Sequence, residues 1–209
     1  MSGRDLIRIP AGRVTLRDAR RGSTREVALG AFELGRVPVL LGDWRGVHSA
    51  TEVDQTPVHG LTWFAAVEWL NARSQDAGLV PAYAISNRRV RWNLSADGFR
   101  LPTEAEWEYA CRAGREGALS LDELGAVAWT ALDGRDGPAP AATKRPNAFG
   151  VADLLGNVWE WCWDYADPAR YRDYRVLRGG GWADRPWSVR PSARRASAPD
   201  AVIDMPRLI

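Results

Sequence analysis

Gly156-Asn157-Val158-Trp159-Glu160-Trp161-Cys162-Trp163-Asp164 is the stretch on which the reading of this chain turns. Tryptophans recur at alternate positions with Glu160 and Cys162 between them, a period of two that predicts a strand. Trp159, Trp161 and Trp163 then share one face, a slab of indole, while Glu160 and Asp164 lie on the other. Asp153 precedes Glu160 by seven residues, across a turn containing Gly156. Two arrangements fit that spacing. The two carboxylates and the intervening carbonyls could fold around a hard cation, since calcium takes oxygen ligands at about 2.3–2.6 Å. Alternatively the segment is a core strand with solvated carboxylates, which spacing alone favours.

The clearest helix lies upstream. Thr103 with Glu106 three residues on is a capping box, Trp107, Ala110 and Cys111 share an inner face, and Gly114 supplies a left-handed terminator. A second helix starts from Thr62 as N-cap, buries Trp63, Val67 and Leu70, and ends at Gly78. Leu6–Leu16 reads as two short strands turned at Pro10-Ala11-Gly12, and 26–41 as further strand. The segment 41–55 reads as irregular, 79–98 as a loop with one strand around Val90-Arg91-Trp92, and 115–147 as a long surface loop holding Val127-Ala128-Trp129. Arg175 to Trp182 predicts a last strand whose Gly179-Gly180-Gly181 run marks close backbone approach or a bulge. The tail from Ala183 reads as irregular. Two main helices with short strands and long loops make an α+β domain.

Composition narrows the function classes. The 209 residues fit a single domain, 1–209, with no linker to divide it, and 45% hydrophobic content supports a real core. A net charge of +2 gives no electrostatic mandate for nucleic acid, which is not an expected partner. Arg175, Arg178, Arg185, Arg190, Arg194 and Arg195 nevertheless crowd one late segment, as an anionic ligand or a carboxylate-paired face would require. Two cysteines, Cys111 and Cys162, make no secreted disulfide framework. No apolar run reaches transmembrane length and Met1–Asp5 leads into no signal-peptide core, so no membrane partner is expected and the cytoplasm is the default compartment.

Five motifs in order carry a resemblance: Pro57-Val58-His59-Gly60-Leu61-Thr62-Trp63, Gly98 to Ala110, Asn147-Ala148-Phe149-Gly150, Leu155-Gly156-Asn157-Val158-Trp159-Glu160-Trp161, and Arg178-Gly179-Gly180. Together they resemble the formylglycine-generating enzyme, or sulfatase-modifying factor, superfamily over nearly the whole chain. The resemblance implies a compact C-type-lectin-like fold. It also implies a structural calcium held by the Asp153 side chain, the Gly156 and Val158 carbonyls and the Glu160 carboxylate. A second calcium site of the enzymes is not expected, because the loop around Trp129 lacks its matching Asn.

The departures from the pattern bear on activity. Enzymes of this superfamily bind copper through two cysteines five residues apart, just after the glycine-rich strand, and monovalent copper requires such soft thiolates. Here Asp184 and Val189 occupy those positions, so no copper is expected and formylglycine formation by that route is not. The segment Gly180 to Arg190 also resembles the Asn-rich template of variable proteins of diversity-generating retroelements, with Ala183, Asp184, Arg185 and Ser188 where template asparagines would stand. That resemblance implies ligand binding by an exposed surface. The expectation is therefore a module that binds a protein, peptide or small molecule through Trp182, Ala183, Asp184, Arg185, Trp187, Ser188, Arg190 and Arg194. The alternative is an oxidoreductase with an altered site acting on a peptide or small thiol, its iron held by His48, His59 and Asp54 or Asp184.

Overall fold

The computed structural model describes residues 6–18, 22–47 and 51–203. Strands β1 (Leu6–Ile9), β2 (Gly12–Asp18), β3 (Ser23–Leu29) and β4 (Phe32–Gly35) open the chain. β1 pairs antiparallel with β4, and β2 with β3, so the turn at Pro10-Ala11-Gly12 separates strands of two different sheets. The segment read as irregular from residue 41 starts with a short helix, α1 (Leu41–Arg45), closed by Gly46 in the left-handed region. Helix α2 (Trp63–Asp76) follows, with the Thr62 hydroxyl accepting from the Ala65 amide as its sequence predicts. The next segment holds two strands instead of one, β5 (Tyr83–Ser86) and β6 (Arg89–Trp92), joined as an antiparallel hairpin.

Helix α3 (Glu104–Arg112) carries the expected capping box, Thr103 with Glu106. Its C-cap is Ala113, itself left-handed at φ 44°, with Gly114 following at φ 83°. The presumed loop at 115–147 contains helix α4 (Leu121–Val127), which has its own Ser120–Glu123 capping box. Strand β7 (Glu160–Tyr165), helix α5 (Pro168–Tyr171), β8 (Arg175–Arg178) and β9 (Arg194–Ser197) complete the chain, with a three-stranded antiparallel sheet in the order β7-β8-β9. The pivotal strand is thus shorter than the alternation implied, and β8 ends before the glycines. The tail regains order as β9 because its backbone groups find β8 as a partner.

The alternation still determines the core. Trp161 faces a cluster with Trp63, Val67, Leu70, Tyr83 and Leu177, against which Trp159 and Trp163 also pack. Cys162, one residue on, faces a second cluster with Trp107, Ala110, Leu154 and Val176. β7 is therefore the partition between the two halves of the core. Two indole N–H groups pin it to the start of α2: Trp63 donates to the Cys162 carbonyl at 3.1 Å and Trp161 to the Leu61 carbonyl at 3.2 Å. Arg175 on β8 is buried, its guanidinium 3.9 Å from the Trp63 ring centroid and 3.8 Å from that of Tyr165. The carboxylate residues of β7, Glu160 and Asp164, are half-buried. Asp164 accepts from the Glu104 amide at 2.6 Å, a negative charge placed at the N-terminus of α3. Among the described residues no helix is long and apolar enough to cross a membrane.

Candidate functional site

Two regions meet where β7 begins. The first is the turn from Asp153 to Glu160. Asp153 and Asn157 both adopt left-handed backbone, φ 60° and 58°, and Gly156 does so at φ 71°. Such conformations in non-glycine residues persist only where surrounding contacts hold them. Here they do. Asn157 is fully buried, accepts from the Ala139 amide at 3.0 Å and donates to the Ala139 carbonyl at 3.1 Å. Asp153 is 3% exposed and accepts from the Ala142 amide at 2.6 Å and from the Asn157 side chain at 3.3 Å. One Glu160 carboxylate oxygen is buried with no hydrogen-bond partner among the described residues.

The electrostatics of this turn are unbalanced. Burial pushes the Glu160 carboxyl up to about 8, and the nearby Asp153 charge adds to the effect. The Trp107 indole N–H, buried and short of hydrogen-bond geometry, offsets part of it. Burial likewise raises Asp153, against the pull of the Ala142 amide and Asn157. The buried Asp153 carboxylate and the enclosed, orphaned oxygen of half-buried Glu160 are oxygen donors only. That is hard-cation chemistry and fits calcium. Glu160 also lines an open cleft of about 930 Å³, whose walls include the stacked Trp44 and Trp69, Phe99 and Trp161.

The second region is the loop between β8 and β9. Gly179 and Gly180 have φ 99° and 84°, and a Cβ on either would lie 2.9 Å from an existing atom, Leu154 O and Val189 Cγ2 respectively. The close approach read from the glycine run is real, and it seats the loop against the first region through Trp182 N to Asn157 O at 2.8 Å. Asp184 is the loop's anchor. Its carboxylate accepts from the Trp159 indole and from the Gly181 amide, each at 2.8 Å, and its carbonyl accepts from Ala131 N at 2.9 Å. Val189 is 2% exposed in the core.

The expected binding residues separate into two sets. Arg185, Trp187 and Arg190 point to solvent, Trp187 at 62% exposure with the Arg185 guanidinium 5.0 Å from its ring centroid. Trp182, Ala183, Asp184 and Ser188 are half-buried, and the Trp182 indole nitrogen has no hydrogen-bond partner among the described residues. Arg194 turns towards α3 and pairs with Glu104 at 2.6 Å. Leu132, 71% exposed beside the Ala131–Asp184 contact, was not singled out by the sequence, where its segment carried no periodicity. Of the residues considered for iron, His59 is exposed, Asp54 is buried, and His48 lies outside the described residues. Among the described residues no three His, Cys, Asp or Glu side chains form a group able to hold a metal ion.

Residues 1–205 match the family model for the sulfatase-modifying factor enzyme 1-like domain. The chain belongs to that family. It is 31% identical over 202 aligned positions to the chaperone protein LppX of Paenibacillus barcinonensis, covering 77% of this chain and 72% of that protein. It is also 31% identical to a hercynine oxygenase of Mycolicibacterium smegmatis, covering 83% of this chain but only 51% of the oxygenase. The chain therefore spans about half the length of that enzyme. Among solved structures, variable protein 1 of Treponema denticola superposes with a TM-score of 0.84 at 27% identity, covering 95% of this chain and 91% of that one. The fold is the C-type-lectin-like fold of the family.

The family's copper enzymes need a thiolate pair, and this member does not supply one. Asp184 and Val189 offer a bound carboxylate and a core aliphatic group. The two free cysteines are buried elsewhere, on α3 and β7, and burial pushes both thiols well above their ordinary range. Soft-metal chemistry has no donor set in these residues.

Proposed function

We propose that this family member is a calcium-stabilised binding module that engages a protein, peptide or small ligand through the surface around the β8–β9 loop. The observation that carries the reading is what stands where the copper cysteines would be. A carboxylate there is spent on holding the loop, and the loop presents Trp187 and Arg185 to solvent. Tryptophan and arginine dominate the energetics of protein interfaces, and here one of each stands exposed and in contact on the same loop. The likeness to a variable protein and to a chaperone supports binding as the role of this surface.

A screen of peptides and small molecules by thermal shift tests this. Ligands are expected to raise the melting temperature of the wild type but not of a Trp187→Ala, Arg185→Ala double variant, and to leave the assay chemically unchanged by mass spectrometry. An oxidised product formed in oxygen, or a ligand indifferent to the double variant, sinks the reading.

Calcium is testable separately. Asp153, Glu160 and the Gly156 and Val158 carbonyls would hold the ion, neutralising the two carboxylates and locking the turn on which the loop rests. Calcium at about a hundred times its dissociation constant stabilises by about 2.7 kcal/mol, or roughly 5–10 °C in a chain of this size. The wild type should show that shift against a chelator, and Glu160→Gln should show none. Equal melting temperatures of the wild type in calcium and chelator would remove the site.

A further inference from the structure

We infer that the ligand of this surface is an acidic protein segment in which carboxylates flank an aromatic or aliphatic side chain. The inference rests on the binding-module reading and gives it a partner class. A continuous chain of contacts centres on Asp184. The Arg195 guanidinium lies 5.8 Å from the Trp159 ring centroid, the Trp159 indole donates to Asp184, the Asp184 carbonyl receives Ala131, and the adjoining Arg185 lies over Trp187. Leu132 and Trp187 stand beside this centre at 71% and 62% exposure. Single exposed apolar side chains are ordinary, but two large ones bordering the same loop form the apolar part of an interface.

The charges are arranged for a carboxylate-bearing partner. Arg185, Arg190 and Arg195 are exposed and have no ion-pair partner among the described residues. Three carboxylates of this region are already engaged, Asp184 by Trp159 and Gly181, Asp133 by Lys144 at 2.7 Å, and Glu104 by Arg194, while Asp136 in the Leu132 segment is exposed. The surface thus offers three exposed guanidinium groups against a single unengaged carboxylate, Asp136, among its described residues. Guanidinium forks match carboxylates with two parallel hydrogen bonds, and such pairs gain strength where a neighbouring apolar contact excludes water. Nucleic acid fits less well. The whole chain has a net charge of +2, and three exposed arginines with one exposed tryptophan make neither a phosphate track nor a series of base-stacking platforms.

Phage display of random peptides against the full chain tests the assignment without naming a partner in advance. Enriched sequences are expected to combine net negative charge with Trp, Phe or Leu. A fluorescein-labelled synthetic copy should lose about tenfold or more in affinity with Arg185→Glu, and similarly with Trp187→Ala, as hot-spot losses do. Its binding should also weaken as salt rises. Both substitutions are at exposed positions, so unchanged melting temperatures verify that the fold survives. Peptides without acidic excess whose binding is lost with Trp187→Ala would overturn the acidic partner and leave the binding surface standing. Peptides indifferent to both substitutions would remove the surface reading as well. Equal competition by a single-stranded oligonucleotide would overturn the acidic segment in favour of general polyanion binding.

Discussion

Arg178→Ala is expected to destabilise the protein by about 3–5 kcal/mol, the loss typical of breaking a buried ion pair from one side. Arg178 on β8 is 1% exposed and Glu108 on α3 is 2% exposed. The guanidinium meets Glu108 directly, donates to the Ala193 carbonyl at 2.8 Å, lies 3.7 Å from Glu104 and sits over the Trp107 ring. Alanine would leave the Glu108 charge in the core with only Arg112 to answer it, and would strip a partner from the carbonyl that leads into β9. The prediction has an internal contrast. Arg112 pairs with the same carboxylate at 2.6 Å from a side chain that is 25% exposed, and Arg112→Ala should cost roughly 1 kcal/mol or less. Urea denaturation of the two variants checks both. Equal, small losses would mean that the pair adds nothing beyond a surface bridge. The double variant Arg178→Met, Glu108→Leu should recover much of the loss, because a buried pair can be replaced by packed hydrophobes.

The fold is readable in this sequence wherever a local rule is strong and is met by packing. The Thr103–Glu106 capping box and the Thr62 N-cap place α3 and α2, and the tryptophan alternation assigns Trp161 and Cys162 to opposite halves of the core. Helix α4 carries the same type of signal, Ser120 with Glu123, but the Gly- and Ala-rich surroundings obscure it. β9 has no signal of its own, since its residues Arg194-Arg195-Ala196-Ser197 become strand only by pairing with β8. The first half of the pivotal stretch fails as strand for a physical reason. Asp153, Gly156 and Asn157 are in the left-handed region, which ends a pleat before it starts.

The same contrast applies to the site. Asp153 and Glu160 were readable as a carboxylate pair flanking a turn, and the structure buries Asp153 and encloses one oxygen of half-buried Glu160. The role of Asn157 was not readable, because its value lies in a contact with Ala139, eighteen residues away in sequence. Nor could spacing tell which arginines of the late segment are available. Arg175 and Arg178 are consumed by the core and Arg194 by Glu104, whereas Arg185, Arg190 and Arg195 are left exposed. Burial of like residues from one segment is decided by which strand face each occupies and by what α3 offers in return.

Gly156→Ala is expected to be among the most damaging single-methyl additions in the chain, at roughly 3 kcal/mol or more. The added Cβ would lie 2.1 Å from the Trp129 carbonyl oxygen and 2.9 Å from its carbon, both backbone atoms of a neighbouring segment. That segment cannot withdraw cheaply, because the Trp129 carbonyl accepts from the Asn157 amide at 2.9 Å and Trp129 and Gly156 form a parallel bridge. Gly134 separates the steric effect from the backbone one. It has a similar φ of 62° with nothing within 4 Å of its notional Cβ, so Gly134→Ala should cost only the left-handed backbone penalty, about 1 kcal/mol. The damage at Gly156 should also travel. Trp129 leads directly into Ala131, which holds the Asp184 carbonyl, and Asn157 both receives Trp182 and supports Asp153. Displacing Trp129 therefore disturbs the Asp153–Asn157 turn, the proposed calcium site, and the exposed loop together. Gly156→Ala should lose the calcium-dependent thermal shift and peptide binding in the same variant, whereas Gly134→Ala should retain both. Equal stability of the two variants would show that the Trp129 segment yields freely and that the two regions are not mechanically joined.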